Sequence, residues 1–230
     1  SLWRLHIDSG QEECLVDSAI LLRDDSTLPD AERARRERMR ESGAGITAYS
    51  QSSSGHRIAF AAGGSLWLWD ETGLRDAAVP GAVVDPRLDA SGDLVSCIVD
   101  GAVCVVTFVD AQVTLRVARE GRTVGLADFA AAEELNRFSG QWWSPTGDAL
   151  LLEVVDESAV PLWTIADPTY PDRAPRTHRY PHAGATNAQC SLLLVDLASG
   201  LEREITWKDF EYLISVRWTA DGPEIGRAHV

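Results

Sequence analysis

One short unit recurs along this chain of 230 residues and constrains its fold more than any other feature. The unit is a polar turn that contains a glycine and leads into an apolar strand. It occupies residues 53–60, 90–97 and 143–152, and a last copy begins at residues 216–222. The marker glycines are 37, 55 and 75 residues apart along the chain: Gly55, Gly92, Gly147 and Gly222. Because propeller blades recur at about 40–50 residues, the repeats predict a β-propeller whose longer intervals contain insertions.

The first repeat also predicts how its strands pair. If residues 63–64 form a two-residue turn, Phe60 faces Trp67 across the hairpin. The next pair on that face is Ile58 with Trp69, and the opposite face carries small or aliphatic residues, so both faces are apolar. Stacked blades need this pattern, whereas a β-sandwich normally alternates apolar with polar residues. We therefore expect an all-β partial propeller of about four to five blades of four-stranded antiparallel sheets, with short inserted helices; an ordinary sandwich is the alternative.

Charge and composition exclude several classes of partner. The chain has 35 acidic and 21 basic side chains, a formal net charge of −14. A nucleic-acid groove or an anionic membrane surface needs concentrated positive charge, so we expect no nucleic-acid partner. No apolar run approaches the roughly 18 residues of a membrane-spanning helix. The histidines share no spacing and the cysteines form no zinc motif, so we expect no metal and no cofactor.

Four cysteines, Cys14, Cys97, Cys104 and Cys190, are too few and too scattered for a disulfide framework. Cys97 and Cys104 flank the turn sequence Asp100-Gly101, which predicts a hairpin in which they face each other. That position is a hydrogen-bonded pair with Cα atoms about 5.5 Å apart, so a disulfide is geometrically feasible. We favour two buried free thiols, because cysteine is common in cores as a small apolar residue, and leave the bridge open.

Two segments interrupt the β pattern. Residues 30–41 contain no β-branched residue, can begin at an Asp30 cap and end at Gly43, and predict a helix. Its arginines could mark a nucleic-acid helix, but in so acidic a chain a solvated insertion is favoured. Residues 128–138 are alanine-rich and predict a second short helix directly before Trp142-Trp143.

Several motifs occur in a fixed order along the chain. Glu133-Glu134 precede Trp142-Trp143-Ser144-Pro145, and residues 155–161 (Val-Asp-Glu-Ser-Ala-Val-Pro), 179–187 (Arg-Tyr-Pro-His-Ala-Gly-Ala-Thr-Asn) and Val195-Asp196-Leu197 follow. The earlier helix at 32–40, followed by residues 45–49 (Gly-Ile-Thr-Ala-Tyr), adds to the set. Together the motifs resemble the N-terminal propeller of the dipeptidyl peptidase IV type, in the prolyl oligopeptidase family of serine peptidases. The resemblance covers the chain to about residue 222.

This resemblance implies a division of labour within a longer parent protein. The propeller would cap an α/β-hydrolase domain of the same chain, and the substrate would be a peptide with a free N-terminus. Glu133 and Glu134 match the pair of glutamates that binds this N-terminus in the family. Without the resemblance, they would be two solvated acids in the first turn of a helix, stabilised by its dipole. The parent is also compatible with a homodimer.

The sequence contains no G-x-S-x-G nucleophile motif, so we expect no catalytic residue in this chain and an inactive fragment. By resemblance, the arginine that holds the substrate carbonyl would lie upstream of Ser1. We expect residues 1–224 to be the partial propeller. Residues 225–230 resemble translated adapter sequence, which suggests an incomplete gene model at both ends. The alternative function is a stand-alone propeller that binds peptides or proteins without hydrolase activity.

Two further acidic and aromatic pairs have ordinary structural explanations. Trp142-Trp143 are expected to pack in the core and between blades. Asp156-Glu157 could form a second acidic site, but hydrogen bonding within a loop is the favoured interpretation.

Overall fold

The computed structural model describes residues 1–21, 45–46, 48–166, 168–169, 172 and 174–228. Ten strands come first: β1 (Leu2–His6), β2 (Gln11–Val16), β3 (Ser50–Gln51), β4 (Ile58–Ala62), β5 (Ser65–Asp70), β6 (Gly73–Asp76), β7 (Val83–Leu88), β8 (Leu94–Val99), β9 (Ala102–Thr107) and β10 (Val113–Val117). Nine follow: β11 (Thr123–Val124), β12 (Gln141–Trp143), β13 (Ala149–Asp156), β14 (Leu162–Ile165), β15 (Arg176–Arg179), β16 (Gln189–Asp196), β17 (Glu202–Ile205), β18 (Tyr212–Thr219) and β19 (Gly222–Ala228).

Helices are short in the described ranges. A 3₁₀ turn spans Ser18–Ile20, and one α-helix, α1, spans Phe129–Glu134. Neither is long or apolar enough to cross a membrane.

The strands form a series of antiparallel sheets. Strands β3 to β6 form one four-stranded sheet and β7 to β10 form a second, each in simple sequential order. A five-stranded sheet follows in the order β11-β13-β16-β17, with β12 also pairing with β13. Three hairpins complete the described strands: β1-β2, β14-β15 and β18-β19. The predicted all-β fold with four-stranded antiparallel sheets is confirmed.

Two-residue turns set the strand registers, as expected. Phe60 lies opposite Trp67, and Cys97 lies opposite Cys104. Both residues of each turn have positive φ, which Asp100 adopts at 51° and Gly101 at 73°. This left-handed pair matches the twist of the strands it joins and so fixes their alignment. Cys97 and Cys104 are both buried and free, as favoured from the sequence.

The two four-stranded sheets and the five-stranded sheet each pack on both faces, which is the arrangement expected of stacked blades. Alternate residues of β4 enter different cores: Phe60 joins the core shared with β1-β2, and Ala59 joins the core shared with β7 to β9. Likewise Cys97 faces the first four-stranded sheet, while Ile98 faces the five-stranded sheet. A further core joins the five-stranded sheet to β18-β19. Four interfaces in series are incompatible with a two-layer sandwich.

The predicted insertions have different outcomes. Residues 30–41 lie outside the described residues. The predicted helix at 128–138 is shorter than expected, because the chain leaves the helical conformation at Leu135 and Asn136 adopts a φ of 53°. Residues 225–228, which were set apart as a tail, lie within β19 and pair with β18. The artefactual origin of residues 225–230 stays a prediction.

Candidate functional site

The two predicted site residues, Glu133 and Glu134, occupy the last two positions of α1. Asp128 caps the helix, its side chain accepting a hydrogen bond of 3.1 Å from the Ala130 N–H. Ala131 and Ala132 are buried, so the helix packs through its small residues and leaves both glutamates exposed to solvent. The acidic pair therefore projects from a helix that rests on two buried alanines.

The expected alternative for these acids placed them in the first turn of a helix, and that placement is wrong. They lie at the carboxyl end, where the helix dipole slightly disfavours negative charge. The helix ends there because Asn136 is left-handed and turns the chain, and the Arg137 N–H reaches back to the Ala131 carbonyl at 3.0 Å. Stabilisation of the helix by its dipole does not account for this acidic pair.

Arg137, immediately after the turn, lies in a buried polar cluster beneath the helix. Its side chain is 11% exposed and the side chain of Glu153, on β13, is fully buried. The guanidinium binds both Glu153 carboxylate oxygens, with a distance of 3.0 Å from Nη2 to Oε1. Its Nη2 also donates to the Leu213 carbonyl of β18 at 2.9 Å and lies 3.6 Å from Asp128 Oδ1. One side chain thus connects the helix cap, β13 and β18.

Burial governs the protonation of this cluster. It raises the pKa of Glu153 to about 7, although the hydrogen bonds and charge of Arg137 oppose the rise. Burial also raises the pKa of Asp128, again against the effect of Arg137. For Arg137, burial lowers the pKa, but the bonds and charge of Glu153 and the charge of Asp128 outweigh it, so the net shift is upward. The guanidinium stays charged and compensates the acids around it.

Asp128, Glu153 and Cys190 place one potential ligand atom each within 4.8 Å of one another. The donor set suits a cation poorly, because Arg137 already provides the positive charge between the two carboxylates. Burial also raises the pKa of the Cys190 thiol, and the thiolate is the form that binds metals. We interpret the cluster as an ion-pair network.

An aromatic group lies beside α1. The ring of Phe129, the first helical residue, meets Tyr180 edge to face at 5.4 Å between centroids. Tyr180 in turn lies 6.1 Å from Trp163 of β14, which is 6.3 Å from His182. The Trp163 residue is 49% exposed and Tyr180 is 37% exposed. This aromatic group was not predicted from the sequence, and the motif around Tyr180 was its one sequence signal.

A polar group at the start of β18 adds negative charge near α1. The Asn187 amide donates to the Tyr212 hydroxyl at 2.7 Å and to Glu211 Oε1 at 2.5 Å. Burial and then the negative charges of Glu211, Asp128 and Glu134 raise the pKa of Tyr212, while the bond from Asn187 lowers it. Acidic groups from two segments, the capped helix α1 and Glu211, therefore act on this one hydroxyl, so the surroundings of α1 carry negative charge.

The remaining predictions concerned packing. Trp143 packs in the core between the second and third sheets, and its indole N–H donates to the Arg87 carbonyl at 3.0 Å. Trp142 packs towards β18-β19. Asp156 accepts from the Ser158 N–H at 2.9 Å and pairs with Arg122 at 3.3 Å, so it makes the loop hydrogen bonds that were favoured over a second acidic site.

Antiparallel sheets stacked in series define a propeller-type domain, and α1 lies on it with both glutamates exposed. Residues 103–226, a little over half of the chain, match the family described as the dipeptidyl peptidase IV (DPP IV) N-terminal region. The chain belongs to this family.

Known proteins similar to the chain include dipeptidyl peptidase 8 of Mus musculus, 25% identical, and that of Homo sapiens, 23% identical. Each match covers 83% of this chain and 26% of the relative, so the chain spans about a quarter of these relatives' length. A crystal structure of dipeptidyl peptidase 4 from Porphyromonas gingivalis matches with a TM-score of 0.64 at 22% identity. That match covers 76% of this chain and 28% of the other, and it supports the propeller fold.

Proposed function

We propose that this chain is the substrate-gating propeller portion of a serine-type dipeptidyl peptidase, and that Glu133 and Glu134 bind the free N-terminus of the peptide substrate. The observation that carries the proposal is the presentation of two exposed carboxylates by a short helix packed from below. Catalysis would belong to an α/β-hydrolase domain of the full-length protein, and this fragment alone would be inactive. Membership of the DPP IV N-terminal family supports that partner domain.

The chemistry of the ligand fits the charge of the site. A peptide α-ammonium has a pKa near 8 and is mostly protonated at neutral pH. Its transfer out of water requires anionic acceptors, and charge-assisted hydrogen bonds to carboxylates are the strong class. The net charge of −14 and the acidic groups around Tyr212 favour the approach of a cation.

Anchoring one end of the peptide also determines where it is cut. If both carboxylates hold the ammonium, a substrate with residues beyond that point is excluded, and the second peptide bond lies at a fixed distance from the anchor. Holding the bond in reacting geometry accelerates its cleavage. The pair would thus act as a ruler that releases dipeptides.

The test replaces the carboxylates in the full-length protein. Glu133→Gln and Glu134→Gln keep the side-chain shape and remove the charge, and Glu120→Gln, at another exposed glutamate, is the matched control. We expect kcat/KM for a chromogenic Xaa-Pro substrate to fall about 10- to 100-fold in the first two variants, since a hydrogen bond to a charged group contributes about 1.5–3 kcal/mol.

The loss should appear mainly in KM, and the control should keep wild-type kinetics. Acetylation of the substrate's amine should reduce turnover by the wild-type protein far more than by the double glutamine variant. Unchanged kinetics in both single variants and the double would refute the anchoring role. A full-length protein without a hydrolase domain would instead favour the stand-alone binding module.

A further inference from the structure

Helix α1 is too short to hold its own position. It has six residues, and isolated helices shorter than about 12–15 residues are marginal in water. Packing of Ala131 and Ala132 provides a base, but two alanine side chains allow sliding and rotation because they interlock little with their neighbours. The orientation of the acidic pair must therefore depend on directional contacts at the ends of the helix.

Arg137 supplies such contacts close to both ends of the helix. It follows the turn that ends α1, and it lies 3.6 Å from Asp128, the residue that caps the start. The same guanidinium is fixed from below by Glu153 in the middle of β13 and from the side by the Leu213 carbonyl of β18. Its face also lies over the Trp142 ring, at 5.7 Å from the centroid. The planar fork therefore has one orientation that satisfies all of these partners.

The energetics indicate that orientation is the main consequence of this pair. Removing two charges from water costs several kcal/mol each, and a buried ion pair is often no more stabilising than apolar residues of similar volume. What an apolar replacement lacks is direction, since dispersion contacts tolerate small rotations that a two-point hydrogen bond does not.

We propose that Arg137 is a positioning residue for substrate binding. Its hydrogen bonds to Glu153 and the Leu213 carbonyl, together with its ion pair to Asp128, fix the orientation in which α1 presents Glu133 and Glu134. The inference rests on the proposed function. It assigns to a buried ion pair the control of how well the exposed acids bind the substrate's amine.

The experiment uses the full-length protein with the double variant R137M/E153M, which keeps approximate volume and removes both charges. Arg122→Met is the matched control, because Arg122 forms a more exposed ion pair with Asp156 on the same sheet. Kinetics with an Xaa-Pro substrate separate KM from kcat. The rate of labelling by a fluorophosphonate probe reports the integrity of the nucleophile, because that probe carries no amine to anchor.

We expect R137M/E153M to raise KM about tenfold, the equivalent of weakening one charge-assisted hydrogen bond, with kcat changed less than about threefold and the labelling rate unchanged. Arg137→Lys, which keeps the charge but loses the planar fork, should raise KM by an intermediate factor. If the double variant fails to fold and loses labelling, Arg137→Lys decides: a raised KM with normal labelling supports the proposal, and an unchanged KM overturns it.

Comparison with the glutamate variants separates this inference from the function on which it rests. If Glu133→Gln and Glu134→Gln raise KM but R137M/E153M does not, the anchor stands and the positioning role is overturned. If the glutamate variants also leave KM unchanged, the proposed function itself fails. If kcat and labelling fall together in R137M/E153M with KM unchanged, the ion pair is structural only and the inference is overturned.

Discussion

Replacing Glu153 alone with methionine should destabilise the region beneath the acidic helix far more than replacing both partners of the ion pair. The single change leaves the Arg137 guanidinium, 11% exposed, without its main counter-ion. Breaking a buried pair in this way costs about 3–5 kcal/mol. We expect about 3 kcal/mol, the lower end, because the Leu213 carbonyl still accepts from the guanidinium and the charge of Asp128 lies 3.6 Å away.

The double variant R137M/E153M should recover most of that loss, because no unpaired guanidinium remains. Recovery will be incomplete by about 1 kcal/mol, since Asp128 stays buried and loses its neighbouring cation. The expected coupling between the two sites is therefore about 2 kcal/mol or more, well above the value for independent positions.

Hydrogen exchange at about pH 8, where Glu153 is ionised, measures the coupling between residues 137 and 153 locally in the full-length protein. The amides to follow are those of Ala132 and Leu135, which donate to the Asp128 and Ala131 carbonyls. Their opening free energies, compared between wild type, the two single variants and the double variant, give the coupling energy of the double-mutant cycle. Single variants that each cost less than 1 kcal/mol, with additive effects, would refute the description of the pair as buried and mutually dependent.

Two more outcomes follow from the structure. Burial raises the pKa of Glu153 to about 7 from an ordinary 4.5, so its protonation stabilises the fold below pH 4.5 and that contribution is lost as pH rises through 7. Glu153→Gln lacks this titration, so its free energy of unfolding relative to wild type should increase between about pH 5 and pH 8 in a series of denaturant titrations. A difference that stays constant with pH would contradict the assignment. Gly125→Ala should destabilise the protein by about 3 kcal/mol, because φ is +87° and the added Cβ would lie 2.4 Å from Val103 Cγ2. Gly121→Ala, where φ is +67° and the space around the Cβ is open, should cost about 1 kcal/mol. Equal melting temperatures for the two variants would count against this packing.

Local chemistry was enough to predict the hairpins from the sequence. The two-residue turns at 63–64 and 100–101 fix the register of their hairpins by themselves. Counting residues outward from each turn therefore gave the pairing of Phe60 with Trp67 and of Cys97 with Cys104. Apolar residues on both faces of these strands then predicted stacking on both sides, and the separate cores confirm it.

The surroundings of the candidate site could not be predicted in the same way. Arg137 meets Glu153, 16 residues away, and Leu213, 76 residues away, and no local pattern encodes such contacts. The aromatic contact between Phe129 and Tyr180 has the same origin. The end of α1 was also missed. Asn136 adopts the left-handed conformation, which is one of several open to asparagine, and tertiary contacts rather than local sequence select it.

Glu153 was nevertheless visible as the one charge in the apolar run at residues 150–155, and strand geometry explains what that charge must contact. Side chains alternate across a strand, so Glu153 shares a face with Leu151, which packs in the core towards Leu213 and β18. A charge on that face must meet a partner at the interface between two sheets, and Arg137 meets it there while also binding the Leu213 carbonyl. The orientation of the acidic helix therefore depends on how the five-stranded sheet stacks against β18-β19, and a substitution that shifts this stacking should alter the binding of the substrate's amine without touching either glutamate.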